Sequence, residues 1–158
     1  MSKEKISFEQ FFATVLPEHQ AFVQNLHDTL LENGCKVAFS EQKSGFLPSY
    51  KYGKPPRAFA NILFRKQGML VRIYGEHTAG YPDFLNTLPA EMVASIEQSG
   101  VCKRIVENTC SPKCTGYDFF IGDTRFQKCK YNCFEFLVTE ESKPYIKLFI
   151  QHELHERM

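Results

Sequence analysis

The sequence predicts an α+β fold, in which helices pack on one face of an antiparallel sheet and a small cysteine-rich lobe is attached. Alternating apolar and polar residues from Arg57 to Tyr74, interrupted at Lys66-Gln67-Gly68, indicate a β-hairpin. Apolar residues at helical spacing precede and follow that hairpin, an order that fits an antiparallel sheet covered by helices. Five of the six cysteines lie within residues 102–133, which predicts the separate lobe.

Two helices are predicted at the start of the chain. Ser7 followed by Gln10 forms a capping box, so the first helix begins there and runs to about Leu16, where Pro17 stops it. Pro17 suits the first turn of a second helix, because a backbone N–H at that position would have no helical partner. Apolar residues at every fourth position give this second helix a buried stripe: Phe22, Leu26 and Leu30. Asn33-Gly34 is a typical helix end.

A four-strand antiparallel meander is predicted next, formed by residues 35–39, 46–52 and the two arms of the hairpin 57–74. Side chains alternate between the two faces of a strand, so one face of the hairpin is apolar. Its predicted core residues are Ala58, Ala60, Ile62, Phe64, Val71 and Ile73. The opposite face mixes cations, aromatic rings and an amide.

That opposite face is a candidate binding surface. Residues 36–72 contain eight Lys or Arg residues and the acidic residue Glu41, a net charge of 8 − 1 = +7 in a chain whose total is +1. Such a surface attracts anions, and Arg interleaved with aromatic rings is found in proteins that bind single-stranded nucleic acids. We expect an anionic small molecule, a peptide or a nucleic acid to bind there. The candidate ligand-binding residues are Tyr52, Arg57, Asn61, Arg65, Arg72 and Tyr74.

A purely structural interpretation of the same residues stays open. Lys and Arg on exposed strands discourage pairing with other chains, and the face is equally compatible with a helix that covers it. The sequence contains neither a Gly-rich phosphate loop nor an RNA-recognition motif.

The second half of the chain is predicted to contain further helices, a later hairpin and a closing strand. Residues 81–98 carry apolar residues at helical spacing, as two short helices. Gly122-Asp123 is the predicted turn of a hairpin over 117–128, and a strand follows at 133–138. Thr139 is the predicted N-cap of a terminal helix.

Two residues near the end of that helix, His152 and Glu156, partly match a metal-binding sequence motif. The zinc-protease motif requires a second histidine four residues after the first, and position 156 is glutamate. A solvated, frayed chain end is therefore the favoured interpretation.

The cysteine segment has the ligand spacing of a structural zinc site. Two pairs with three intervening residues flank the later hairpin, and four thiolates are common ligands: Cys110, Cys114, Cys129 and Cys133. Residues 130–132 must turn, because a straight strand would separate the Cα atoms of the last pair by ~13 Å. If these residues are extended, Cys102 replaces Cys133 as the fourth ligand. Unligated thiols, packed as small apolar residues, are the alternative.

Two classes of function follow. The favoured hypothesis is a non-enzymatic binding module, whose basic sheet face takes the ligand and whose zinc ion braces one end of the fold. The alternative is a thiol-dependent enzyme or redox sensor that uses one of the clustered cysteines, whose basic neighbours favour thiolates. A catalytic cysteine also needs a histidine with an orienting partner. His77 is a candidate, but the sequence does not place it near a cysteine.

Length and composition bound these hypotheses. At 158 residues, we expect one α+β domain, residues 1–158, with 102–133 as a subregion. The chain opens on charged residues, not on an apolar leader, and no apolar stretch reaches transmembrane length. We therefore expect a cytoplasmic protein without a membrane partner, in a compartment where disulfides are uncommon. The sequence leaves the oligomeric state open.

Overall fold

The computed structural model describes residues 7–42, 45–53, 56–75, 77–98, 117–128 and 133–157, which form an α+β fold. Five strands make an antiparallel sheet and two more make a separate hairpin, which confirms the predicted fold class. Most of the predicted cysteine-rich lobe, residues 102–133, lies outside the described residues. The chain divides into two compact units, Met1–Arg72 and Ile73–Met158, and each is described by itself. The expectation of a single domain stays a prediction.

Both helices of the first unit begin where local sequence signals predict, but the first ends at Phe12, before the predicted end near Leu16. Helix α1 spans Phe8–Phe12. Ser7 caps it, because the Gln10 N–H donates to the Ser7 hydroxyl at 3.3 Å and the Ser7 N–H donates to the Gln10 side chain at 2.8 Å. Helix α2 spans Pro17–Glu32. Gly34, just past its end, has a φ of 95°, a conformation that favours glycine.

Four strands follow as a consecutive meander, as predicted. They are β1 (Lys36–Gln42), β2 (Gly45–Tyr52), β3 (Arg57–Arg65) and β4 (Gly68–Ile73). Strand β1 pairs antiparallel with β2, and β2 pairs antiparallel with β3. The strand order in the sheet follows the chain order from β1 to β4.

The register between β2 and β3 contains a bulge. Tyr50 lies opposite Ala60, but the next residue of β2, Lys51, lies opposite Ala58, so Phe59 is an extra residue in β3. Phe59 and Ala60 are both fully buried, each with 0% of its surface exposed. Because Tyr50 and Lys51 are on opposite faces of β2, Ala60 and Ala58 are on opposite faces of β3, so the predicted strict alternation, which placed both alanines in the core, is wrong here.

Helices α1 and α2 contact the same face of these strands. The Phe11 ring centroid lies 6.4 Å from that of Phe39 in β1 and 5.9 Å from that of Phe64 in β3. From α2, His27 Nδ1 lies 2.8 Å from the Tyr50 hydroxyl in β2. Tyr50 and Phe11 have no exposed surface, so this face is the core of the first unit.

The second unit contains the other described helices and strands. In chain order these are a single turn of 3-10 helix (Thr78–Gly80), α3 (Pro82–Leu85), α4 (Ala90–Glu97), β5 (Tyr117–Ile121), β6 (Thr124–Lys128), β7 (Phe134–Leu137) and α5 (Ser142–Arg157). Strands β5 and β6 form the predicted hairpin. Thr139 caps α5 as predicted, since its hydroxyl accepts the Ser142 N–H at 3.0 Å.

Aromatic rings fill the core of the second unit. The Phe149 ring of α5 lies 6.1 Å from Phe134 and 5.6 Å from Phe136 in β7, and Phe84 of α3 meets it edge-on at 5.7 Å. Phe149 has no exposed surface. These contacts hold α5 in place and thereby set the position of its last two turns. Within the described ranges, every helix is too short or too polar to cross a membrane.

Candidate functional site

The carboxylate of Glu153, near the end of α5, is completely buried. Glu153 follows Ile146, Phe149 and Ile150 at helical spacing, so it falls on the stripe of α5 that faces the core. A buried carboxylate needs hydrogen-bond donors and a countercharge, because moving an unpaired charge out of water is costly. The residues around Glu153 supply both.

Four donors surround Glu153. Its Oε1 accepts hydrogen bonds from the His77 backbone N–H at 3.0 Å and from the Tyr81 hydroxyl at 2.6 Å. Its Oε2 lies 3.1 Å from His77 Nδ1 and accepts a hydrogen bond from Arg157 Nε at 2.7 Å. Two carboxylate oxygens offer about four acceptor positions, so all of them are used. Arg157, with 5% of its side chain exposed, supplies the countercharge.

Tyr81 is a permanent donor in this cluster. Burial of the phenol, reinforced by the negative charge of Glu153, raises the pKa of Tyr81 far above its usual range. The hydroxyl therefore stays protonated throughout the neutral and mildly alkaline range. Its ring meets Phe149 edge-on at 5.8 Å and stacks on His152 at 5.5 Å, which holds the hydroxyl on Glu153.

The last turn of α5 makes tertiary contacts, which differs from the solvated chain end that the sequence favoured. Arg157 Nη2 donates a hydrogen bond to the Tyr74 carbonyl at 2.6 Å. The His152 ring stacks on Phe84 at 4.7 Å. The Glu156 carboxyl group lies against Gly80, where an added Cβ would come within 2.8 Å of Glu156 Cδ. His152 and Glu156 therefore each make packing contacts with the segment that contains Gly80 and Phe84.

His77 is the exposed member of the cluster. Its side chain is 42% exposed, whereas the Glu153 side chain is 0% exposed. With Glu153 ionised, Nδ1 carries the proton that is donated to the carboxylate, and the lone pair of the neutral ring is on Nε2. Among the residues whose structure is described, no other group hydrogen-bonds to this ring. Such an imidazole can accept a proton, bind a metal ion or attack an electrophile.

The six predicted ligand-binding residues are spread along the strands. Tyr52 and Arg57 lie directly opposite one another on β2 and β3, and Asn61 lies in the middle of β3. Arg65 is at the other end of β3, 65 − 57 = 8 positions after Arg57. That separation is ~26 Å along an extended strand, so a single small anion cannot contact both guanidinium groups. The other two residues lie in β4 or just after it: Arg72 and Tyr74.

Sequence reasoning missed a pair of lysines. Lys36 and Lys51 lie directly opposite one another on β1 and β2, and both are exposed. They are on the face away from α1 and α2, because the adjacent Tyr50 points towards His27 on α2. In the described part of the chain, neither lysine has an acidic partner. The pair is hidden in the sequence, because only the strand register brings the two residues together.

The predicted zinc ligands lie mostly outside the described residues. Cys110, Cys114 and Cys129, and the alternative ligand Cys102, fall in segments of which the structure gives no description. Cys133 is described: it is half-buried and directly precedes β7. Among the described residues, no three His, Cys, Asp or Glu side chains are grouped so that they could hold a metal ion. The zinc site stays a prediction.

Comparisons of the chain with protein-family models, with curated proteins and with solved structures found no match. A functional assignment therefore depends on the residues and their geometry.

Proposed function

We propose that this protein is a small cytoplasmic binding module whose ligand is an extended polyanion, such as a single-stranded nucleic acid, and whose cysteine segment binds a structural zinc ion. The observation that carries the proposal is the exposed Lys36–Lys51 pair. Like charges directly opposite one another on neighbouring strands are destabilising. A phosphate bound between the two ammonium groups offsets this repulsion and forms charge-assisted hydrogen bonds with both.

The neighbours of the lysine pair suit such a ligand. Ser49 is on the same face as Lys51 and lies opposite Asn61 of β3, so two uncharged polar groups continue the surface. Ala38 lies opposite Ser49 on β1 and is exposed, which leaves room for a ligand to approach.

The experiment is an equilibrium titration of a labelled oligothymidylate, about 15 nucleotides long, with the full chain. Lys36→Gln and Lys51→Gln should each weaken binding by a few-fold, because each removes one phosphate contact. Lys66→Gln is the matched control: Lys66 is an exposed lysine in the turn between β3 and β4, away from the pair. Equal affinities for all four proteins would refute the proposed surface.

The zinc part of the proposal is supported by the paired cysteine spacing and by the position of Cys133. Because Cys133 directly precedes β7, a metal-bound thiolate there would connect the cysteine segment to a strand. Elemental analysis of untagged protein should find close to one zinc ion per chain, and Cys114→Ser should lose it. Metal-free wild-type protein would leave the cysteines as thiols.

The alternative thiol-dependent enzyme gains support from one specific observation. A catalytic thiol needs a histidine and a group that orients it, and Glu153 orients His77 through Nδ1. The test compares alkylation of each cysteine by iodoacetamide in wild type and in His77→Gln. If this candidate is correct, one cysteine reacts much faster than the others, and that advantage disappears in the variant. Identical profiles would count against it.

A further inference from the structure

One carboxylate holds His77 at two points. Glu153 accepts the His77 backbone N–H at 3.0 Å through Oε1, and its Oε2 lies 3.1 Å from the ring Nδ1. Tyr81 and Arg157 occupy the remaining acceptor positions, so the carboxylate cannot turn away from the ring. The bond to Nδ1 additionally fixes the tautomer and the orientation of an exposed imidazole.

His77 differs in this respect from the four other histidines of the chain. His19 and His27 are buried, and His152 stacks on the rings of Tyr81 and Phe84. His155, on the outer side of α5, is exposed, and in the described ranges it has no hydrogen-bond or charge partner. His77 therefore combines an accessible ring with a buried carboxylate on Nδ1, and His155 is an internal control that has the first property without the second.

We propose that His77 is a nucleophilic acyl-acceptor site for activated carboxylic esters. Nε2 attacks the acyl carbon, and the bond to the alkoxide or phenoxide breaks, so the leaving group departs with the electron pair. The ring then carries a positive charge, which Glu153 stabilises through the Nδ1 proton. Water attacks the acyl carbon and the bond to Nε2 breaks, which releases the carboxylic acid and restores the neutral ring, and the second proton of that water passes to the alkoxide or phenoxide. The net reaction is ester plus water to acid plus alcohol. Glu153 is a positioning residue in this scheme.

The test treats the full chain with p-nitrophenyl acetate and measures acetylation of each histidine by mass spectrometry of quenched samples. His77 should be acetylated about tenfold faster than His155 in the same tube, which is the lower end of the effect that such carboxylate partners have on metal-bound histidines. Glu153→Gln should bring the ratio of the two rates close to one. General loosening of the fold would instead expose further histidines, so the ratio separates orientation from structural damage. His155→Gln should leave the His77 rate unchanged.

A second measurement keeps the proposal testable if Glu153→Gln does not fold. Long-range ¹H–¹⁵N correlation spectra of the wild-type protein report which ring nitrogen of His77 carries the proton. The proposal requires the Nδ1–H tautomer. A His77 ring protonated on Nε2 in its neutral form, or an acetylation rate no higher than that of His155, would overturn it.

Discussion

Glu153 and Arg157 form an ion pair across one turn of α5, with 2.7 Å between Arg157 Nε and Glu153 Oε2, and both side chains are almost completely removed from water. Arg157 also donates to the Tyr74 carbonyl, so the guanidinium connects the helix end to the segment after β4. The pair is therefore a structural link as well as the countercharge of the cluster.

Arg157→Met should strongly destabilise the fold, because it leaves the buried Glu153 carboxylate without a countercharge. The expected loss is about 3–5 kcal/mol in the free energy of unfolding, measured by urea denaturation. Arg125→Met is the control, since the side chains of its ion pair with Asp118 are 54% and 38% exposed and such pairs contribute little to stability. Similar losses in the two variants would show that the buried pair has no special role.

Tyr81→Phe tests one donor of the cluster without changing the shape of the core. Removing the hydroxyl deletes a hydrogen bond to a charged, buried acceptor, which should cost about 1.5–3 kcal/mol. Tyr145→Phe, at a half-buried position on the helix that carries Glu153, should change stability by less than about 0.5 kcal/mol. Chemical denaturation of both variants gives the comparison, and a neutral Tyr81→Phe would contradict the hydrogen bond.

Two glycines of the second unit should respond differently to alanine. A Cβ on Gly75 would meet the Phe134 ring at 2.7 Å and the Thr78 methyl group at 2.8 Å, both in the packed interior, so Gly75→Ala should cost about 1–3 kcal/mol. A Cβ on Gly80 meets the end of the exposed Glu156 side chain, which can move aside. In thermal unfolding, Gly75→Ala should therefore have a much lower melting temperature than Gly80→Ala. The reverse order would contradict the packing around Gly75.

The pH dependence of stability should contain a contribution from His27. Burial lowers the pKa of His27 below its ordinary value of 6.5. Above that value the residue is neutral in both states and has no effect. As the pH falls below it, the unfolded chain takes up a proton that the folded chain does not bind. The free energy of unfolding therefore decreases, by at most about 1.4 kcal/mol per pH unit.

His27→Gln removes this titration, so its stability should fall less steeply than that of wild type between pH 7 and pH 5. His155→Gln replaces an exposed histidine and should keep the wild-type slope. Denaturant titrations across this pH range provide the measurement. An unchanged slope in His27→Gln would show that His27 is protonated as readily in the folded state as in the unfolded state.

The parts of the fold that depend on local signals were predictable. Ser7 with Gln10 and Pro17 defined the first two helices, since caps and proline act within one turn. The bulge at Phe59 was not predictable, because both Phe59 and Ala60 are apolar and either alternation fits the sequence. Its position depends on β2, which the sequence of β3 does not report.

The candidate sites depend on residues that are distant in sequence, so most of their geometry could not be predicted from the sequence. His77 and Glu153 are separated by 76 positions, and nothing in either segment identifies the other as its partner. The i, i+4 spacing of Glu153 and Arg157 on a predicted helix was the one available signal. Likewise, the charge of residues 36–72 predicted a basic surface, but only the register of β1 and β2 identified Lys36 and Lys51 as a pair.

The central claim, that the Lys36–Lys51 pair binds a polyanion, is tested most directly by the salt dependence of oligothymidylate affinity. For wild type we expect log affinity to fall linearly with log salt concentration, and Lys51→Gln should reduce the slope by about 0.7, the value for one lost phosphate contact on a single strand. Lys66→Gln should keep the wild-type slope. Absence of binding at low salt, or identical slopes for Lys51→Gln and wild type, would contradict the claim.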